Sequence, residues 1–315
     1  MIPIEEIRRA REIIAVDSIR TPLVRLNVPD SPAEIYLKLE NLQPIGSFKI
    51  RGASYAVRQA SADEVSSGVI TASAGNMAQG VAWVTRALGV SCTVIVPENA
   101  PETKLAAIER LDGKYIKVPF DRWWKTIEES SFPGVEGLFV HPVEDDRVMA
   151  GNGTIGLEIL EDLPEPDVVL IPWGGGGLST GIASVMRSLA PTVKVYGVEP
   201  ETASPLKASF AKGSIQTVDF TRSFVDGAGG KSLLPKMWPL AQELLEGSLT
   251  ATLDEIASAI RVLAERNRVI AEGAGALAVA AALSGRAGTG RIVCVVSGGN
   301  IDFTVLVKIL RGETP

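Results

Sequence analysis

The sequence predicts an α/β protein in which parallel sheets are flanked by helices. Short runs of β-branched residues alternate with longer segments of helical periodicity through almost the whole chain, which is typical of strands joined by helices. The chain has 315 residues, and so many strand–helix units would overfill one sheet. We therefore expect two α/β lobes with a cleft between them.

The predicted strands are short apolar runs, and the predicted helices are longer segments with apolar residues three and four apart. The strands are expected at 35–39, 69–72, 93–96, 115–118, 168–171, 194–198 and 292–296. The helices are expected at 77–88, 101–111, 147–160, 178–189 and 254–269. No change in composition marks a lobe boundary, but the Pro/Gly cluster at 132–134 and the stretch around 141–142 are candidate crossings.

The composition favours a small-molecule substrate. Hydrophobic residues make up 46% of the chain and charged residues 22%, so a full core can be buried. The formal net charge is -6 and no Lys- or Arg-rich run occurs. This balance argues against a nucleic-acid partner.

The sequence indicates a cytoplasmic protein. Residues 1–16 mix charged with apolar residues, unlike the uninterrupted apolar stretch of a secretory signal. The longest run of small apolar residues, 273–283, is shorter than the roughly 20 residues that a bilayer requires, so we expect no membrane segment. Cys92 and Cys294 lie within β-branched runs, where buried free thiols are usual, and a reducing compartment fits both.

The segment Gly46-Ser47-Phe48-Lys49-Ile50-Arg51-Gly52-Ala53 places a lysine between two apolar side chains at a predicted loop-to-helix junction. Apolar surroundings disfavour the ammonium form, so the pKa of the amine falls and a neutral nucleophile becomes accessible near neutral pH. Such a lysine can form a Schiff base. The alternative is that Lys49 extends past Phe48 and keeps its charge in water.

A glycine-rich loop, Gly174-Gly175-Gly176-Gly177-Leu178, follows the predicted strand at 168–171 and precedes a predicted helix. Glycines let the backbone approach a phosphate closely, and the N–H groups of a helix start favour an anion. A dinucleotide site is a competing interpretation, because Glu199 lies at the end of the next strand. Ser179 and Thr180 occupy the third-glycine position, however, so the G-x-G-x-x-G spacing fails. A tight turn without a ligand is the remaining alternative.

Two further loops follow predicted strands, namely Ser73-Ala74-Gly75-Asn76 and Ser297-Gly298-Gly299-Asn300. Ligands of open α/β sheets bind at the carboxyl ends of parallel strands, where both loops are expected. Each loop alone could be an ordinary helix cap.

The two polar loops, the lysine segment and the glycine loop, in this order, resemble the fold type II pyridoxal-phosphate enzymes. The similarity is greatest to the threonine/serine dehydratase and serine racemase branch, and it covers nearly the whole chain. It includes Leu39-Glu40-Asn41-Leu42-Gln43, the segment 151–158 and Asp226-Gly227. It implies a two-lobed fold like that of the tryptophan synthase β subunit.

The resemblance assigns a role to each motif around the cofactor pyridoxal 5'-phosphate. Lys49 would bind the cofactor as a Schiff base, with Phe48 near the pyridine ring. Asn76 would bind the ring oxygen, and Ser297 would contact the pyridine nitrogen. The N–H groups of Gly174, Gly175, Gly176, Gly177 and Leu178 would bind the phosphate, and the loop Ser73-Ala74-Gly75-Asn76-Met77 would hold the substrate carboxylate.

The resemblance also implies a domain organisation. Residues 1–54 and 144–315 would form a large cofactor-binding domain, and residues 55–143 a small domain. The chain ends soon after the helix that follows 297–300, so we expect no C-terminal regulatory domain. Homodimers are usual in this branch, and we expect one here.

The expected reaction is β-elimination of water from a β-hydroxy amino acid such as L-threonine or L-serine, which gives a 2-oxo acid and ammonia. A Ser297 hydroxyl cannot protonate the pyridine nitrogen as a carboxylic acid would, so the ring is a weaker electron sink. This favours a short-lived carbanion that expels a β-leaving group. The freed amine of Lys49 would act as general base on the Cα proton.

Three positions depart from the branch. Ala74 stands where its racemases have a serine that acts on the opposite face of Cα, so we predict elimination rather than racemisation. Met77 replaces a usual histidine, which would make the pocket more apolar. Pro205 replaces an aspartate of a divalent-cation loop that retains Glu199 and the Ala203 carbonyl, so we do not expect a metal ion there.

Several alternatives stay open at this point. Trp123 and Trp124 either pack in the small lobe or narrow the cleft, and in the second case a bulkier substrate such as phenylserine fits better. His141, the sole histidine, is interpreted as structural. β-Replacement is a second reaction on the same scaffold, a cofactor-binding protein without turnover is a third possibility, and a nicotinamide oxidoreductase is disfavoured by the glycine spacing.

Overall fold

In the computed structural model, which describes residues 1–29, 31 and 33–315, the chain forms two sheets with helices packed against them. The strands are β1 (Leu23–Arg25), β2 (Glu34–Lys38), β3 (Val69–Ala72), β4 (Cys92–Pro97), β5 (Lys114–Val118), β6 (Leu138–Phe139), β7 (Val168–Pro172), β8 (Lys194–Pro200), β9 (Gly247–Ala251) and β10 (Arg291–Val295). The α/β class predicted from the sequence is confirmed.

The first sheet has the strand order β1-β2-β10-β7-β8-β9, and the second has the order β5-β4-β3-β6. All neighbours are parallel except β1, which pairs antiparallel with β2. The central strands β7 and β10 are apolar and buried on both faces, as expected where helices cover a parallel sheet. The second sheet lies within residues 55–143, but the domain boundaries predicted from the sequence stay a prediction.

The helices lie on the faces of the sheets and at their edges. They are α1 (Ile4–Ile14), α2 (Lys49–Arg58), α3 (Ala62–Val65), α4 (Asn76–Leu88), α5 (Glu102–Glu109), α6 (Phe120–Glu129), α7 (Asp146–Asp162), α8 (Gly177–Leu189), α9 (Pro205–Lys212), α10 (Met237–Leu244), α11 (Leu253–Val262), α12 (Gly273–Leu283) and α13 (Phe303–Leu310). No helix in the described part of the chain combines the length and apolarity needed to cross a bilayer.

The helix that carries Lys49 is packed closely by two others. A Cβ atom at Gly151 of α7 would lie 2.4 Å from the Arg51 carbonyl oxygen, and one at Gly80 of α4 would lie 3.1 Å from the Lys49 carbonyl oxygen. A side chain at Gly151 would collide with the backbone of α2, and one at Gly80 would require its neighbours to shift. The position of Lys49 is therefore determined by helices from both ends of the second-sheet segment.

The structure corrects some details of the prediction. The helix expected over 254–269 ends at Val262 and continues as a π-helical turn, Leu263–Asn267, which stops at Arg268 with its left-handed φ of 59°. The cluster 132–134 is not a crossing between the sheets, since β6 follows it and still pairs with β3. The sequence did not predict β1, β6 or β9, which are short or only half-buried.

Candidate active site

Loops at the ends of four neighbouring strands meet at one edge of the first sheet. β2, β10, β7 and β8 are consecutive and parallel. The Lys49 segment follows β2, Ser297 follows β10, the glycine loop follows β7, and Glu199 lies near the end of β8. Because parallel strands end at the same edge, these separate motifs are brought together.

Lys49 is the first residue of α2, and its side chain is held by a backbone carbonyl. Its Nζ donates a hydrogen bond to the Pro142 oxygen at 2.8 Å and lies 5.2 Å from the centroid of the Phe48 ring. Burial lowers the pKa of the Lys49 amine to about 8. Part of the amine is therefore neutral near neutral pH, as a nucleophile or a general base requires.

The residues before Lys49 pair with the loop that follows β10. The Phe48 N–H donates to the Ser297 oxygen at 3.0 Å, and Ser47 forms an antiparallel bridge with Gly298. Ser297 is only 3% exposed. This hydroxyl-bearing residue thus lies beside the Lys49 segment, where the resemblance requires a contact to the cofactor ring.

The glycine loop offers backbone donors and has no space for side chains. Gly176, with a φ of 99°, precedes α8, and a Cβ atom there would lie 2.4 Å from the Trp173 ring. Cβ atoms at Gly175 and Gly177 would collide with Val143. Within the described residues, the N–H groups from Gly174 to Leu178 have no protein acceptor. These free donors at a helix start fit a phosphate group.

Asn76, the first residue of α4, has its amide orientation determined by two partners. Its Nδ2 donates to Glu272 Oε1 at 2.9 Å, and its Oδ1 accepts from Asn300 Nδ2 at 2.8 Å. A flipped amide would face its oxygen towards the Glu272 carboxyl oxygen, which the observed arrangement avoids. The second hydrogen on Nδ2 remains available as a donor. Asn76 therefore fits the binding of an anionic ring oxygen.

The loop before α4 combines an open backbone with a buried side chain. The Ser73 hydroxyl accepts from the Gly75 N–H at 3.2 Å, and a Cβ atom at Gly75 would meet nothing within 4 Å. Met77, in contrast, is 1% exposed and packs in the core that includes Ala74. This burial argues against the expectation that the Met77 side chain makes the pocket more apolar. Only its backbone N–H is left to meet a substrate.

Glu272 is a buried carboxyl group that the sequence interpretation did not single out. Burial, followed by the negative charge of Asp226, raises the pKa of Glu272 to about 7. Asp226 itself forms an ion pair with Lys104. Glu272 thus carries a proton over part of the physiological pH range while it contacts Asn76.

Glu272→Gln is expected to reduce the pH dependence of stability between pH 4.5 and 7. In this window the folded chain holds a proton on Glu272 that the unfolded chain, with a pKa near 4.5, has released, so the free energy of unfolding falls as pH rises. Glutamine keeps an oxygen for Asn76 but cannot lose a proton. Denaturant unfolding at several pH values should show that the free energy of unfolding falls between pH 4.5 and 7 by roughly 2–4 kcal/mol less in the variant than in the unsubstituted chain.

The exposed Glu5→Gln variant is the control for this prediction, and it should follow the unsubstituted chain. Glu199, whose pKa is also raised to about 7 by burial, remains in both proteins and keeps part of the slope. Parallel curves for Glu272→Gln and the unsubstituted chain would contradict the prediction.

A buried ionic cluster surrounds Arg51, which lies two residues after Lys49. Arg51, two residues later on α2, donates to Glu40 at 2.8 Å from both Nε and Nη2 and to Glu158 at 2.6 and 2.9 Å. Lys38 donates to Glu158 at 2.6 Å. All four side chains are at most 5% exposed, and their formal charges cancel. The cluster ties α2 to β2, to the turn at Glu40 and to α7.

Glu199 has protein donors in place of a metal ion. It accepts from the N–H groups of Leu206 and Lys207 at 2.8 and 2.9 Å and from the Ser248 hydroxyl at 2.7 Å. Pro205 is the first residue of α9, so the substitution noted in the sequence starts the helix that Glu199 caps. Among residues 1–29, 31 and 33–315, no group of three or more His, Cys, Asp or Glu side chains could hold a metal ion.

Magnesium and EDTA are both expected to leave the thermal unfolding midpoint and the activity of the protein unchanged. The Glu199 carboxylate is already satisfied by α9 and Ser248, and the Ala203 carbonyl alone makes a poor site. An ion added at 100 times its Kd would stabilise the fold by about 2.7 kcal/mol, a clear rise of the midpoint. Such a rise with magnesium, absent in Glu199→Gln, would contradict the prediction.

Trp123 and Trp124, the two tryptophans that the sequence left open, lie on α6 beside the second sheet. Trp123 packs against the cluster of Ile70, Ile95 and Phe132, whereas Trp124 is 40% exposed and its Nε1 donates to Glu128 at 2.8 Å. These contacts favour the packing interpretation of both tryptophans.

The sequence interpretation missed two groups of the site, the Glu272 carboxyl and the Pro142 carbonyl, for different reasons. Glu272 stands directly before the uncharged helix α12, and a lone carboxyl group there is a signal that could have been followed. The acceptor for Lys49 is the backbone oxygen of Pro142, and the sequence gives no signal for it because every residue has such an oxygen.

Comparison with known proteins agrees with this geometry. Residues 15–298 match the family described as "Pyridoxal-phosphate dependent enzyme". An L-threonine ammonia-lyase of Thermotoga maritima is 39% identical over 99% of this chain and 79% of its own length. The catabolic L-threonine dehydratase of Escherichia coli K12 is 38% identical over 98% of this chain and 96% of its own.

A solved structure of maize serine racemase superposes with a TM-score of 0.89 at 30% identity, covering 99% of this chain and 97% of that one. The family match spans most of the chain, and the free donors of the glycine loop, the Asn76 amide and the Lys49 amine fit the cofactor. The chain therefore belongs to the fold type II pyridoxal-phosphate dependent enzymes, with pyridoxal 5'-phosphate as its cofactor.

Proposed function

We propose that the chain is an L-threonine ammonia-lyase, which eliminates water from L-threonine and releases 2-oxobutanoate and ammonia. The observation that carries the reaction class is the Lys49 amine, which has a pKa of about 8, donates to the Pro142 carbonyl and follows Phe48, whose N–H donates to the Ser297 carbonyl. The names of two relatives at 38–39% identity support the substrate. L-Serine, which carries the same leaving group, is proposed as a second substrate.

Lys49 performs the proton transfers in this proposal. When bound, the cofactor supplies an electron sink for the pair released from the substrate Cα–H bond. At pH 7, an amine with a pKa of about 8 is neutral in roughly a tenth of the molecules and can accept the Cα proton. The resulting ammonium is a donor for the departing β-hydroxyl, which leaves as water. The enamine product hydrolyses to the 2-oxo acid and ammonia.

Ser297 and Ala74 favour elimination over other reactions. A serine hydroxyl can share a hydrogen bond with a ring nitrogen but cannot transfer a full proton to it, which limits the lifetime of a carbanion. Ala74 carries no group that can exchange a proton. Reprotonation of Cα from the face opposite to Lys49 therefore has no donor at this position.

The proposal is tested with the purified holoenzyme, L-threonine, L-serine and threo-phenylserine, by measuring 2-oxo acid release and the stereochemistry of the remaining amino acid. We expect the fastest turnover with L-threonine and little inversion at Cα. The variant Ala74→Ser, which adds the missing hydroxyl, is expected to increase inversion relative to elimination. Inversion as fast as elimination in the unsubstituted chain would contradict the proposal.

The same measurement separates the alternatives. Release of oxo acid mainly from phenylserine would favour the bulkier substrate. A protein that has the visible cofactor band but forms no product from any of the three would favour β-replacement or a binding role. Adding a sulfide or thiol nucleophile together with O-acetylserine then distinguishes these two, since only the first consumes the nucleophile.

A homodimer and a cytoplasmic location are also proposed for this chain. An apolar stripe on α13, formed by Phe303, Val307 and Leu310, is exposed by 80%, 45% and 49% and supports self-association. Sedimentation velocity measures the mass directly. A monomer at micromolar concentration would contradict the dimer.

A further inference from the structure

His141 lies in the segment that connects the second sheet to α7, and this segment contacts two parts of the cofactor site. We propose that His141 is a positioning residue, whose neutral ring holds residues 142–144 so that they support both Lys49 and the glycine loop. The proposal rests on the cofactor family and does not depend on the identity of the substrate.

The imidazole organises the backbone that follows it. Nδ1 accepts a hydrogen bond from the Val143 N–H at 3.0 Å and another from the Glu144 N–H at 2.8 Å. One side-chain nitrogen thus satisfies two consecutive backbone donors that precede α7. The segment consequently turns around the ring, and the Pro142 carbonyl within this turn accepts the hydrogen bond from Lys49.

This geometry requires a neutral ring with its proton on Nε2. A nitrogen that accepts two N–H groups cannot itself carry a hydrogen. Burial, together with the charge of Lys49, lowers the pKa of His141 to about 4, in agreement with the contacts. Nε2 is buried, and the backbone of Ile127 favours a hydrogen on this nitrogen. Nδ1 is then the acceptor that an apolar side chain could not supply, which explains why a histidine suits this position.

Two consequences reach the cofactor site. The Pro142 oxygen accepts from Lys49 Nζ at 2.8 Å, so it holds the amine whenever that amine is free. Val143 contacts the glycine loop, since its side chain would collide with a Cβ atom at Gly175 and its oxygen with one at Gly177. Displacement of the segment would therefore disturb the amine and the phosphate donors together.

A second anchor keeps the segment folded when the ring is changed. Lys236 Nζ donates to the Glu144 oxygen at 2.7 Å and to Asp146 at 2.8 Å. Removing the His141 acceptor is therefore expected to shift residues 142–143 and not to unfold the connection.

The test uses holoenzymes that carry His141→Leu or His141→Asn. Asparagine places an oxygen near the position of Nδ1, whereas leucine has a similar volume and no acceptor. Ile108→Ala, in the core of the second sheet, is the control for a general loss of stability. The measurements are the rate of cofactor loss during dialysis, the pH midpoint of the visible band, and kcat and KM.

We expect His141→Leu to lose the cofactor about 10-fold faster, equivalent to about 1.4 kcal/mol, and to shift the pH midpoint of the band. His141→Asn should stay within about 3-fold of the unsubstituted rate, since it restores the acceptor. In turnover, His141→Leu should lower kcat more than it changes KM. The proposal is overturned if Leu and Asn behave alike, or if Ile108→Ala at equal loss of thermal stability gives the same changes.

The cofactor measurements do not require a substrate. If no 2-oxo acid is formed from L-threonine, the proposed function fails while the His141 proposal is still decided by cofactor loss and by the band. The reverse outcome, turnover of L-threonine with unchanged His141→Leu, leaves the proposed function standing.

Discussion

Lys49→Ala is expected to lower kcat by at least roughly 10³-fold and to remove the visible absorbance band of the bound cofactor. The variant loses the amine whose pKa is lowered to about 8, and no other lysine takes its place beside the Phe48 ring in the described part of the chain. The measurement is the absorbance spectrum after dialysis, followed by 2-oxo acid release from L-threonine.

Two variants make this result specific to Lys49. Lys49→Arg keeps a positive charge but cannot form a Schiff base, so it should be as inactive as the alanine variant. Lys117→Ala, an exposed lysine on β5, should retain the band and the activity. A visible band that survives in Lys49→Ala would refute the assignment of the cofactor lysine.

Arg51→Ala is expected to destabilise the fold by about 3–5 kcal/mol, because it leaves Glu40 and Glu158 buried without their main partner. The Arg51 guanidinium is held charged by these two carboxylates, whose attraction outweighs its burial and keeps its pKa above the usual range. Denaturant unfolding of the holoenzyme at constant cofactor concentration measures the loss.

A surface ion pair provides the matched comparison. Arg8→Ala breaks a pair with Glu5 whose side chains are 48% and 75% exposed, and it should cost at most about 1 kcal/mol. Equal effects of Arg51→Ala and Arg8→Ala would show that the buried cluster does not stabilise α2. The cluster lies two residues from Lys49, so any Arg51 variant that folds should also bind the cofactor more weakly.

Local patterns were sufficient to predict the strands of the site and the motifs that follow them. The strands β3, β7 and β10 are largely apolar runs with a serine or a glycine within two positions of their ends, so this signal is local. The polar loops could be placed at one edge because parallel strands share a direction. Edge strands such as β1 and β9 gave weak signals because only part of each is buried.

The side-chain details were a different matter. The direction of the Met77 side chain depends on how α4 is rotated about its axis, which its neighbours in the fold determine. The side chain packs in the core of the second sheet. The sequence argued against a metal ion at Glu199 because Pro205 removes one ligand, but it did not show that Glu199 caps α9, which only the folded chain brings within reach. His141 appeared structural in the sequence, and its influence on Lys49 passes through a backbone oxygen.

The sequence by itself determined the α/β class, the cofactor family and the residues that line up with its motifs, because these depend on apolar periodicity and on short contiguous segments. Only the tertiary structure decided how Lys49 and Asn76 are held. Their partners, Pro142, Glu272 and Asn300, are distant along the chain, and hydrogen bonds and burial depend on distances in space. A pKa of about 8 for Lys49 is accordingly a property of the packed site and not of the segment that contains it.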